Sequence, residues 1–451
     1  MSDTAEVVVI GAGFAGLAAA HRLERRGVDV RVFDAAEDVG GVIRSVRADS
    51  GFLFESAAES LRGESPCLQA WIEQTGLSDA IIPAQARAKK RFLLHQGRLE
   101  ALPMSPPGLV KSPLLSRSAK FRLLREPFVR RSSYDPTASL GQILRTRLGA
   151  EVVDRLVDAV VTGVFAGSVD QLGIDAFPTI RGLLETDGSL LRGMLRRRGQ
   201  GRGRGGIYTL RDGLGMLAQR TRATLGDRLS LGSSVVAVDT DADGVVVRLH
   251  HAAPVRAKHA IIATPAHAVA ALVDPTDPVL RWLTSLDHPH VAKVGLGFRR
   301  ADIAHALDGF GALVPRDERL PADVGPVIGV IFSSSVFAGR APDDHVTVTF
   351  ILGGVRNRAS VELDDAALVG HAAAAARYLL GASGEPVASH VARWSQAIPQ
   401  YEPGHAAGVQ AIQQALPSRI LLAGNYLGGV SVEAAVASGF RAADQAMTRN
   451  G

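Results

Sequence analysis

Three glycines near the N-terminus have the spacing of a phosphate-binding turn. Gly11, Gly13 and Gly16 follow an apolar run at residues 7–10 and open an alanine-rich helical pattern. In such a turn the first glycine permits a tight bend, the second lets a phosphate approach the backbone, and the third lets the helix pack on a sheet. The N-terminus of the helix then offers free N–H groups and a positive dipole end to an anion. The spacing therefore predicts a loop that binds a diphosphate.

An acid and a second glycine pair extend this motif. Asp34 ends the next predicted strand, where a carboxylate can accept hydrogen bonds from ribose hydroxyls. Gly40 and Gly41 permit the backbone to approach a second part of the same ligand, and Arg44 could neutralise a phosphate. The extended pattern resembles that of flavoproteins of the amine oxidase and phytoene desaturase superfamily, which implies FAD as the cofactor.

A second glycine loop lies near the C-terminus, in "LLAGNYLGGVSV" at residues 421–432. In that superfamily the loop returns to the flavin and places a helix N-terminus near the pyrimidine end of its ring, where the dipole stabilises negative charge. An ordinary turn from strand to helix, without a ligand, is the alternative. The positions that match flavin contacts of the superfamily outside the first motif are Val235, Ala263, Gly424, Asn425, Val430 and Val432.

The elements that must position these residues alternate between strands and helices, which predicts an α/β fold. Residues 6–34 read as a βαβ unit, 105–160 as helices, and 243–266 and 293–356 as strands. Strands at both ends of the chain resemble each other, so we expect a discontinuous, Rossmann-type FAD-binding domain from residues 1–86, 206–265 and 395–451. Residues 87–205 are expected to form a helical domain, and residues 266–394 a substrate-binding domain with a mixed sheet.

Composition is typical of a globular protein with two or three domains. The chain has 451 residues, of which 46% are hydrophobic and 21% charged. Cys67 is its single cysteine, which rules out an internal disulfide and fits a reducing compartment. No basic segment typical of a signal peptide precedes the first strand, and no apolar run is long enough to span a membrane. These features favour a cytoplasmic location.

Positive charge is concentrated in the middle of the chain. Residues 87–131 contain 12 basic and 2 acidic side chains, and residues 192–204 add 6 basic and no acidic ones. Because the whole chain has a net charge of only +5, the remainder is net negative. The middle region is either an arginine-rich solvated surface or a docking surface for an anionic partner such as a membrane. No nucleic-acid-binding motif accompanies the charge. Residues 194–206, rich in Arg and Gly, predict a loop.

At the level of the whole chain, the sequence resembles the oxygen-dependent, FAD-containing protoporphyrinogen oxidases. The motifs in the middle and at the end of the chain are more specific than the glycines. The resemblance rests on "VGGVIRSVR" (39–47), "KRFLLHQGRLEALP" (90–103), "TGVFAGSVDQL" (162–172), "RDGLGML" (211–217), "GFGALVP" (309–315), "FILGG" (350–354), "AIPQYEPGH" (397–405) and "GNYLGGVSV" (424–432).

This resemblance implies a reaction and a location. The family oxidises protoporphyrinogen IX to protoporphyrin IX in haem biosynthesis; FAD takes hydrides, and dioxygen reoxidises it to give hydrogen peroxide. Some relatives oxidise coproporphyrinogen III instead. The helical domain of the family sits on a membrane, and here it coincides with the basic middle region. We therefore expect a peripheral protein on the inner face of the cell membrane, a homodimer in contact with the next enzyme of the haem pathway.

The resemblance also assigns substrate-binding residues. Arg91, in "KRFLL", matches the arginine that pairs with a substrate propionate, for which a guanidinium is well suited. The positions that match contacts to the macrocycle are Gly163, Phe310, Leu313, Ile331 and Ile351. Without the motif matches, periodicity alone would predict that the apolar members of this set are ordinary residues of the hydrophobic core. No residue stands out as a general base, and Tyr401 and His405 are interpreted as structural or pocket-wall groups.

One loop departs from the family. Where the family commonly has an acid, one residue and then Gly-Pro, this chain has "ESAAES" at residues 55–60, so that Ala57 and Ala58 replace Gly-Pro and Glu59 adds a carboxylate. That carboxylate is expected to repel a propionate-bearing substrate. Two alternatives to a porphyrinogen oxidase follow: an oxidase or desaturase for another flat or lipidic molecule, and a flavin- or porphyrin-binding protein without turnover.

Overall fold

The structure is a computed structural model that describes residues 3–63, 65–103, 108, 111–129, 135, 137–197 and 206–448. The described residues form two seven-stranded sheets, a three-stranded ribbon and a two-stranded ribbon. Helices cover the sheets, as expected for an α/β protein. The helices are α1 (Phe14–Glu24), α2 (Pro66–Gln74), α3 (Arg117–Leu124), α4 (Leu140–Leu148), α5 (Ala150–Val152), α6 (Asp158–Phe165), α7 (Pro178–Gly182), α8 (Leu190–Arg197), α9 (Gly215–Leu225), α10 (Ala266–Val273), α11 (Pro278–Ser285), α12 (Ser333–Val336), α13 (Asp365–Leu380), α14 (His405–Ala415) and α15 (Val432–Thr448).

The first sheet is assembled from segments that lie far apart in the chain. Its strands are β1 (Asp3–Ile10), β2 (Val30–Phe33), β10 (Leu229–Ser230), β11 (Val235–Thr240), β12 (Val245–Leu249), β13 (Val255–Ile262) and β19 (Ile420–Leu422). They run in the order β10-β2-β1-β13-β12-β11, and β19 joins β13. All pairs that involve β1, β2, β10 or β19 are parallel. The predicted βαβ unit is present as β1, α1 and β2.

Helices α1 and α15 cross closely above this sheet. A Cβ at Gly439 of α15 would lie only 2.1 Å from the carbonyl oxygen of Ala15 in α1. Only a glycine permits this approach, because any side chain would collide with backbone. The contact brings the N-terminal and C-terminal glycine loops, which precede these two helices, to the same side of the molecule.

The second sheet is mainly antiparallel. Its strands are β7 (Phe92–His95), β8 (Arg98–Ala101), β14 (Val291–Arg299), β15 (Gly311–Leu313), β16 (Val327–Ile331), β17 (His345–Gly353) and β18 (Ala388–Trp394), in the order β18-β14-β17-β16-β15-β7-β8. One face packs in a core that includes Val294, Val330 and Phe350 of the sheet and alanines of α13. The other face meets the N-terminal segment, since a Cβ at Gly295 would lie 2.4 Å from the ring of Phe54.

Two segments lie in a different layer from the one expected. Residues 92–101, grouped by sequence with the helical region, form β7 and β8 because the apolar strand Phe92–His95 pairs with β15. Residues 266–285, grouped with the substrate-binding region, form α10 and α11, which bury their apolar side chains against the first sheet.

The helical layer lies between residues 111 and 197. Its core is formed by leucines and valines of α4 to α8 and by Phe165. Residues 150–165 form one continuous helical stretch, in which Val153–Val157 is a π turn. Residues 194–197 of the predicted Arg/Gly-rich loop belong to helix α8 instead. Residues 198–205 of that loop lie outside the described residues. No helix in the described part of the chain is both long and apolar enough to cross a membrane.

Small ribbons connect these layers. β3 (Ser45–Arg47) pairs with β4 (Leu53–Glu55), and β9 (Ile207–Leu210) pairs with both β5 (Leu61–Arg62) and β6 (Ile81–Pro83). The loop at residues 55–60, where the sequence departs from the family, joins β4 to β5. It therefore runs from the two-stranded ribbon to the three-stranded one.

Candidate active site

The carboxyl ends of the parallel strands meet at one edge of the first sheet, which we call the cofactor edge. The loops that leave β1, β2, β13 and β19 all begin there. In open α/β sheets ligands bind at this edge. These loops carry most of the residues predicted from the sequence to bind the cofactor: Gly11, Gly13, Asp34, Ala263, Gly424 and Asn425.

Each glycine of the first motif has the geometry that its predicted role requires. Gly11 has a positive φ of 108°, and a Cβ there would lie 2.8 Å from the carbonyl oxygen of Ala263. A Cβ at Gly16 would lie 1.8 Å from the Gly11 carbonyl oxygen. At Gly13, by contrast, a Cβ would meet no described atom within 4 Å, and no described side chain caps the N-terminus of α1. Open space in front of free N–H groups fits the diphosphate of a dinucleotide.

The second glycine pair lies directly against this turn. Gly40 donates its N–H to the carbonyl oxygen of Ala12 at 2.9 Å, and a Cβ at Gly41 would lie 3.2 Å from the Cα of Gly13. Both glycines have a positive φ. Arg44 is exposed and donates from Nε to the Gly41 carbonyl at 3.0 Å, so it braces this turn. Its contact with a phosphate stays a prediction.

Asp34 holds the first turn in place. Its carboxylate accepts the N–H of Ala12 at 2.5 Å and the N–H of Ala36 at 2.7 Å, one on each oxygen. Each carboxylate oxygen can accept a second hydrogen bond, so both remain able to bind a ribose hydroxyl. The acid thus has a structural role that the sequence alone did not reveal, alongside its predicted ribose contact.

The C-terminal loop is organised by a single tyrosine. The hydroxyl of Tyr401 donates to the carbonyl oxygen of Asn425 and accepts the N–H of Gly429 at 2.7 Å. At the start of the loop, Gly424 donates its N–H to Oγ of Ser438 in α15, at 2.9 Å. The loop is therefore fixed from both sides, which gives α15 a defined N-terminus at the cofactor edge.

The remaining predicted flavin positions lie around the same edge. Val235 begins β11, and Ala263 donates its N–H to Ile10 at 2.8 Å. Val432 begins α15 and packs against the core of the first sheet, whereas Val430 packs against the helical layer. Their contacts with a flavin stay predictions.

Tyr401 and His405 stack on each other, with ring centroids 3.8 Å apart. His405 donates from Nε2 to the carbonyl oxygen of Tyr426 at 2.7 Å. Burial lowers the pKa of His405 and raises the pKa of Tyr401 to about 12, so both rings favour the neutral state. This arrangement agrees with their interpretation as structural groups.

The motif that contains Tyr401 also reaches the helical layer. Gln400 donates from Nε2 to the carbonyl oxygen of Phe165 at 2.9 Å, and a Cβ at Gly167 would lie 2.0 Å from Oε1 of Gln400. Gly173 donates its N–H to the carbonyl oxygen of Tyr401 at 2.7 Å. The motifs at 162–172 and 397–405 are therefore in direct contact, although about 230 residues separate them.

Predicted substrate residues share one face of the second sheet, which we call the substrate wall. In its register Leu313 pairs with Gly329, and Gly329 pairs with Ile351. Ile351 in turn pairs with Lys293 of β14. Ile331 lies two residues beyond Gly329 on the same strand, so its side chain projects from the same face. This face is opposite to the one that packs on α13, and Leu313, Ile331 and Ile351 are all only half-buried.

The other predicted substrate residues lie beside the wall. A Cβ at Gly163 of α6 would lie 2.5 Å from Cδ2 of Leu313, so the helix backbone packs directly on the wall. The guanidinium of Arg91 lies 5.2 Å from the centre of the Phe310 ring, and Phe310 shares an apolar cluster with Ile331. The structure thus brings the whole predicted set to one side of the second sheet.

Arg91 is a half-buried cation that no described carboxylate neutralises. Burial, and then the nearby charge of Arg62, lowers the pKa of its guanidinium below the ordinary value. An arginine in such a position still carries its charge and suits a carboxylate ligand. Arg62 was missed by sequence reasoning; no local pattern around it distinguishes it from a surface arginine.

The loop at residues 57–59 is tied to the substrate wall by a buried ion pair. Glu59 lies 2.8 Å from Nζ of Lys293, and both side chains are almost fully buried. The expected repulsion of a propionate by Glu59 is therefore reduced, because Lys293 compensates its charge. Sequence reasoning missed Lys293, although a lysine inside the buried strand Val291–Arg299 is a detectable signal, since unpaired charges are rarely buried.

Comparison with known proteins places this geometry in a family. The family model described as flavin-containing amine oxidoreductase matches residues 14–447. The protoporphyrinogen oxidase of Bos taurus is 32% identical over 479 residues, covering 97% of each chain. The coproporphyrinogen III oxidase of Bacillus subtilis is 24% identical over 473 residues, covering 99% of each. The proposed protoporphyrinogen oxidase of Exiguobacterium sp. 255-15 has the same fold, with a TM-score of 0.85 and 24% identity over 100% of this chain and 99% of its own.

The fold and the cofactor edge define a dinucleotide-dependent α/β oxidoreductase. The chain belongs to the flavin-containing amine oxidoreductase family, and its cofactor is FAD. The residues present fit this cofactor, since Gly13 leaves open space at the N-terminus of α1 and the second glycine pair, Gly40 and Gly41, lies directly against that point.

Proposed function

We propose that this chain oxidises a porphyrinogen to the corresponding porphyrin in haem biosynthesis, with FAD and O2. The observation that carries the proposal is the uncompensated Arg91 over the Phe310 ring, next to an apolar wall formed by Leu313, Ile331 and Ile351. A flat apolar macrocycle with propionate groups matches both features. When bound, FAD supplies the hydride acceptor, and its reoxidation by O2 yields hydrogen peroxide. The chain's own part is to bind the carboxylate, orient the ring and exclude water.

Protoporphyrinogen IX is the first candidate substrate, in line with the name of the Bos taurus relative. Coproporphyrinogen III is the second, and two observations favour it. Arg62 places a second positive charge near Arg91, which suits a substrate with more carboxylates, and one relative is named a coproporphyrinogen III oxidase.

An aerobic assay of the purified, FAD-containing protein tests the proposal. Each porphyrinogen is supplied separately while porphyrin fluorescence and peroxide are recorded together. We expect rapid formation of one porphyrin with about three peroxides per porphyrin, as a six-electron oxidation requires. A protein that retains FAD but oxidises neither substrate faster than buffer would contradict the proposal.

We further propose that the helical layer docks on an anionic membrane. Five apolar side chains near the ends of α3 and α8 are more than half exposed: Phe121, Leu124, Phe128, Met194 and Leu195. Helix α8 packs against the turn at residues 126–128, so they form one patch. The exposed arginines around it are Arg117, Arg122, Arg125, Arg192, Arg196 and Arg197. Apolar side chains inside a ring of arginines complement an anionic bilayer surface.

Sedimentation with lipid vesicles tests this docking. We expect binding to vesicles that contain phosphatidylglycerol, weaker binding to pure phosphatidylcholine, and a clear loss of binding in Phe128→Ser. Val236→Ser, which alters an exposed valine on β11 far from the patch, is the matched control. Equal binding of wild type and Phe128→Ser would show that this patch is not the docking surface.

A further inference from the structure

The ion pair of Glu59 and Lys293 leaves a buried carboxylate oxygen without a hydrogen bond from the described residues. Lys293 donates to the carbonyl oxygens of Glu55 and Ala57, both at 2.7 Å, and lies 2.8 Å from Oε1 of Glu59. Two of the three ammonium protons are thus donated to backbone oxygens, and the contact with Oε1 of Glu59 is an ion pair without hydrogen-bond geometry. Oε1 is buried and accepts no hydrogen bond from any described residue. It is therefore a buried acceptor that a donor of a ligand can satisfy.

This oxygen belongs to a loop between the cofactor edge and the substrate wall. On one side, Ser56 donates its N–H to the carbonyl oxygen of Arg44 at 2.8 Å, next to the second glycine pair. Ala58 packs against the same core as Val432, at the start of α15. On the other side, Lys293 pairs with Ile351 in the register of the wall. Glu59 therefore lies where cofactor and substrate must meet.

We propose that Glu59 is the proton acceptor of the oxidation, a role that rests on the proposed function. A porphyrinogen presents pyrrole N–H donors at its centre, and Glu59 is a buried carboxylate paired with Lys293. Because Lys293 is held by the carbonyl oxygens of Glu55 and Ala57, its part is to position Glu59.

The step balances in atoms and electrons. In the first two-electron oxidation, a meso C–H bond breaks and its hydrogen leaves with the electron pair as a hydride, for which bound FAD would be the acceptor. A pyrrole N–H bond breaks, its proton moves to the carboxylate of Glu59, and its electron pair helps to form the new conjugated C=N bond. Glu59 then passes the proton to water. Over the whole reaction three hydrides and three protons leave, and one of these protons comes from a meso carbon after tautomerisation.

Rapid mixing of the FAD-containing protein with porphyrinogen under anaerobic conditions tests the role. In Glu59→Gln, which keeps the shape of the side chain, we expect the loss of oxidised-flavin absorbance to slow by about 100-fold, within the range typical of a positioned base. Reoxidation of the chemically reduced variant by O2 should match wild type, because it needs no proton acceptor for the porphyrinogen. In Glu59→Ala, added formate should restore part of the lost rate, which a purely structural role does not predict.

Two further variants separate proton transfer from simple support of the loop. In Glu59→Gln/Lys293→Met both charges are removed, so that no buried charge remains unpaired. If the pair only supports the loop, this variant should recover the wild-type rate; if Glu59 is the base, it should stay slow. Glu126→Gln removes a carboxylate that is just as buried, beside Arg147 in the helical layer, and should lower the Tm while flavin reduction keeps its rate.

The outcomes distinguish this proposal from the proposed function. Wild-type protein whose FAD no porphyrinogen reduces would overturn both. Wild-type protein that is reduced rapidly, with Glu59→Gln within twofold of it across the pH range, would overturn the role of Glu59 alone.

Discussion

The cofactor edge presents backbone, whereas the substrate wall presents side chains. At the edge, Gly11, Gly13 and Gly16 act through positions where a side chain is excluded or would fill the ligand space. At the wall, Leu313 and Ile351 come from different strands and meet through cross-strand register. The edge is thus defined by local spacing within a short segment, and the wall by pairing between distant ones.

This difference has a consequence for how each region responds to substitution. A site formed by backbone cannot rearrange around a new side chain. At Gly16, for example, the new side chain would collide with the Gly11 carbonyl and not with a movable side chain. An apolar wall can repack, since volume-conserving exchanges between aliphatic side chains are usually tolerated. Substitutions at the edge should therefore abolish cofactor binding. Substitutions at the wall should instead cause graded changes in substrate affinity or substrate specificity.

The largest effect is expected at the edge. Gly13→Glu fills the open space in front of α1 with a carboxylate that repels the diphosphate, so we expect the purified protein to be colourless and free of FAD. Flavin absorbance after gel filtration measures this directly. Gly370→Glu, at an exposed position of α13 where a Cβ also meets nothing within 4 Å, should retain FAD like wild type. A yellow Gly13→Glu protein would contradict the assignment of the phosphate loop.

A smaller but still large effect is expected at Arg91. Arg91→Ala removes the cation beside the wall, and a charge-assisted hydrogen bond of about 1.5–3 kcal/mol corresponds to a loss in kcat/KM of about 10- to 100-fold. FAD content should not change, since Arg91 does not contact the cofactor edge. Steady-state kinetics with each porphyrinogen provides the measurement, and Arg98→Ala, an exposed arginine on β8, is the control. Kinetics of Arg91→Ala equal to those of wild type would remove Arg91 from the substrate site.

The contrast between edge and wall also explains what the sequence could predict. The βαβ unit and the mixed α/β fold follow from local periodicity and spacing, and the structure confirms them. The ligand contacts of the glycine loops stay predictions. The place of the hairpin at 92–101 in the second sheet escaped prediction because β15, the strand that pairs with β7, lies more than 200 residues away in the chain. In the same way, nothing near Glu59 indicates Lys293, which only the fold brings to it.

Tyr401 holds the C-terminal loop at the cofactor edge, and its loss should have an intermediate effect. Tyr401→Phe leaves the N–H of Gly429 and the carbonyl of Asn425 without their partner, at a cost of about 1–3 kcal/mol. We expect FAD to dissociate several-fold faster, with little change in the KM for porphyrinogen. Release of flavin fluorescence on dilution measures the dissociation rate. Tyr378→Phe, on the exposed side of α13, should leave it unchanged; a KM effect without any change in FAD dissociation would place Tyr401 on the substrate side instead.

The smallest effect is expected at Glu55, which lies between the two regions. Burial raises the pKa of the Glu55 carboxyl from 4.5 to about 7, outweighing its ion pair with Arg340 at 3.2 Å. Between these two values the folded protein binds a proton that the unfolded chain does not. The stability that this proton contributes is fully present below about pH 4.5 and is lost as the pH rises through about 7.

Glu55→Gln cannot titrate, so its stability should decline less than that of wild type between pH 5 and pH 8. Urea denaturation at several pH values measures the free energy of unfolding of both proteins. Glu362→Gln, which alters an exposed carboxyl, should follow the wild-type curve. Parallel curves for Glu55→Gln and wild type would show that Glu55 has the same pKa in the folded and unfolded states. The junction between edge and wall would then hold an ordinary ionised pair, and the charge of Arg340, rather than burial, would control it.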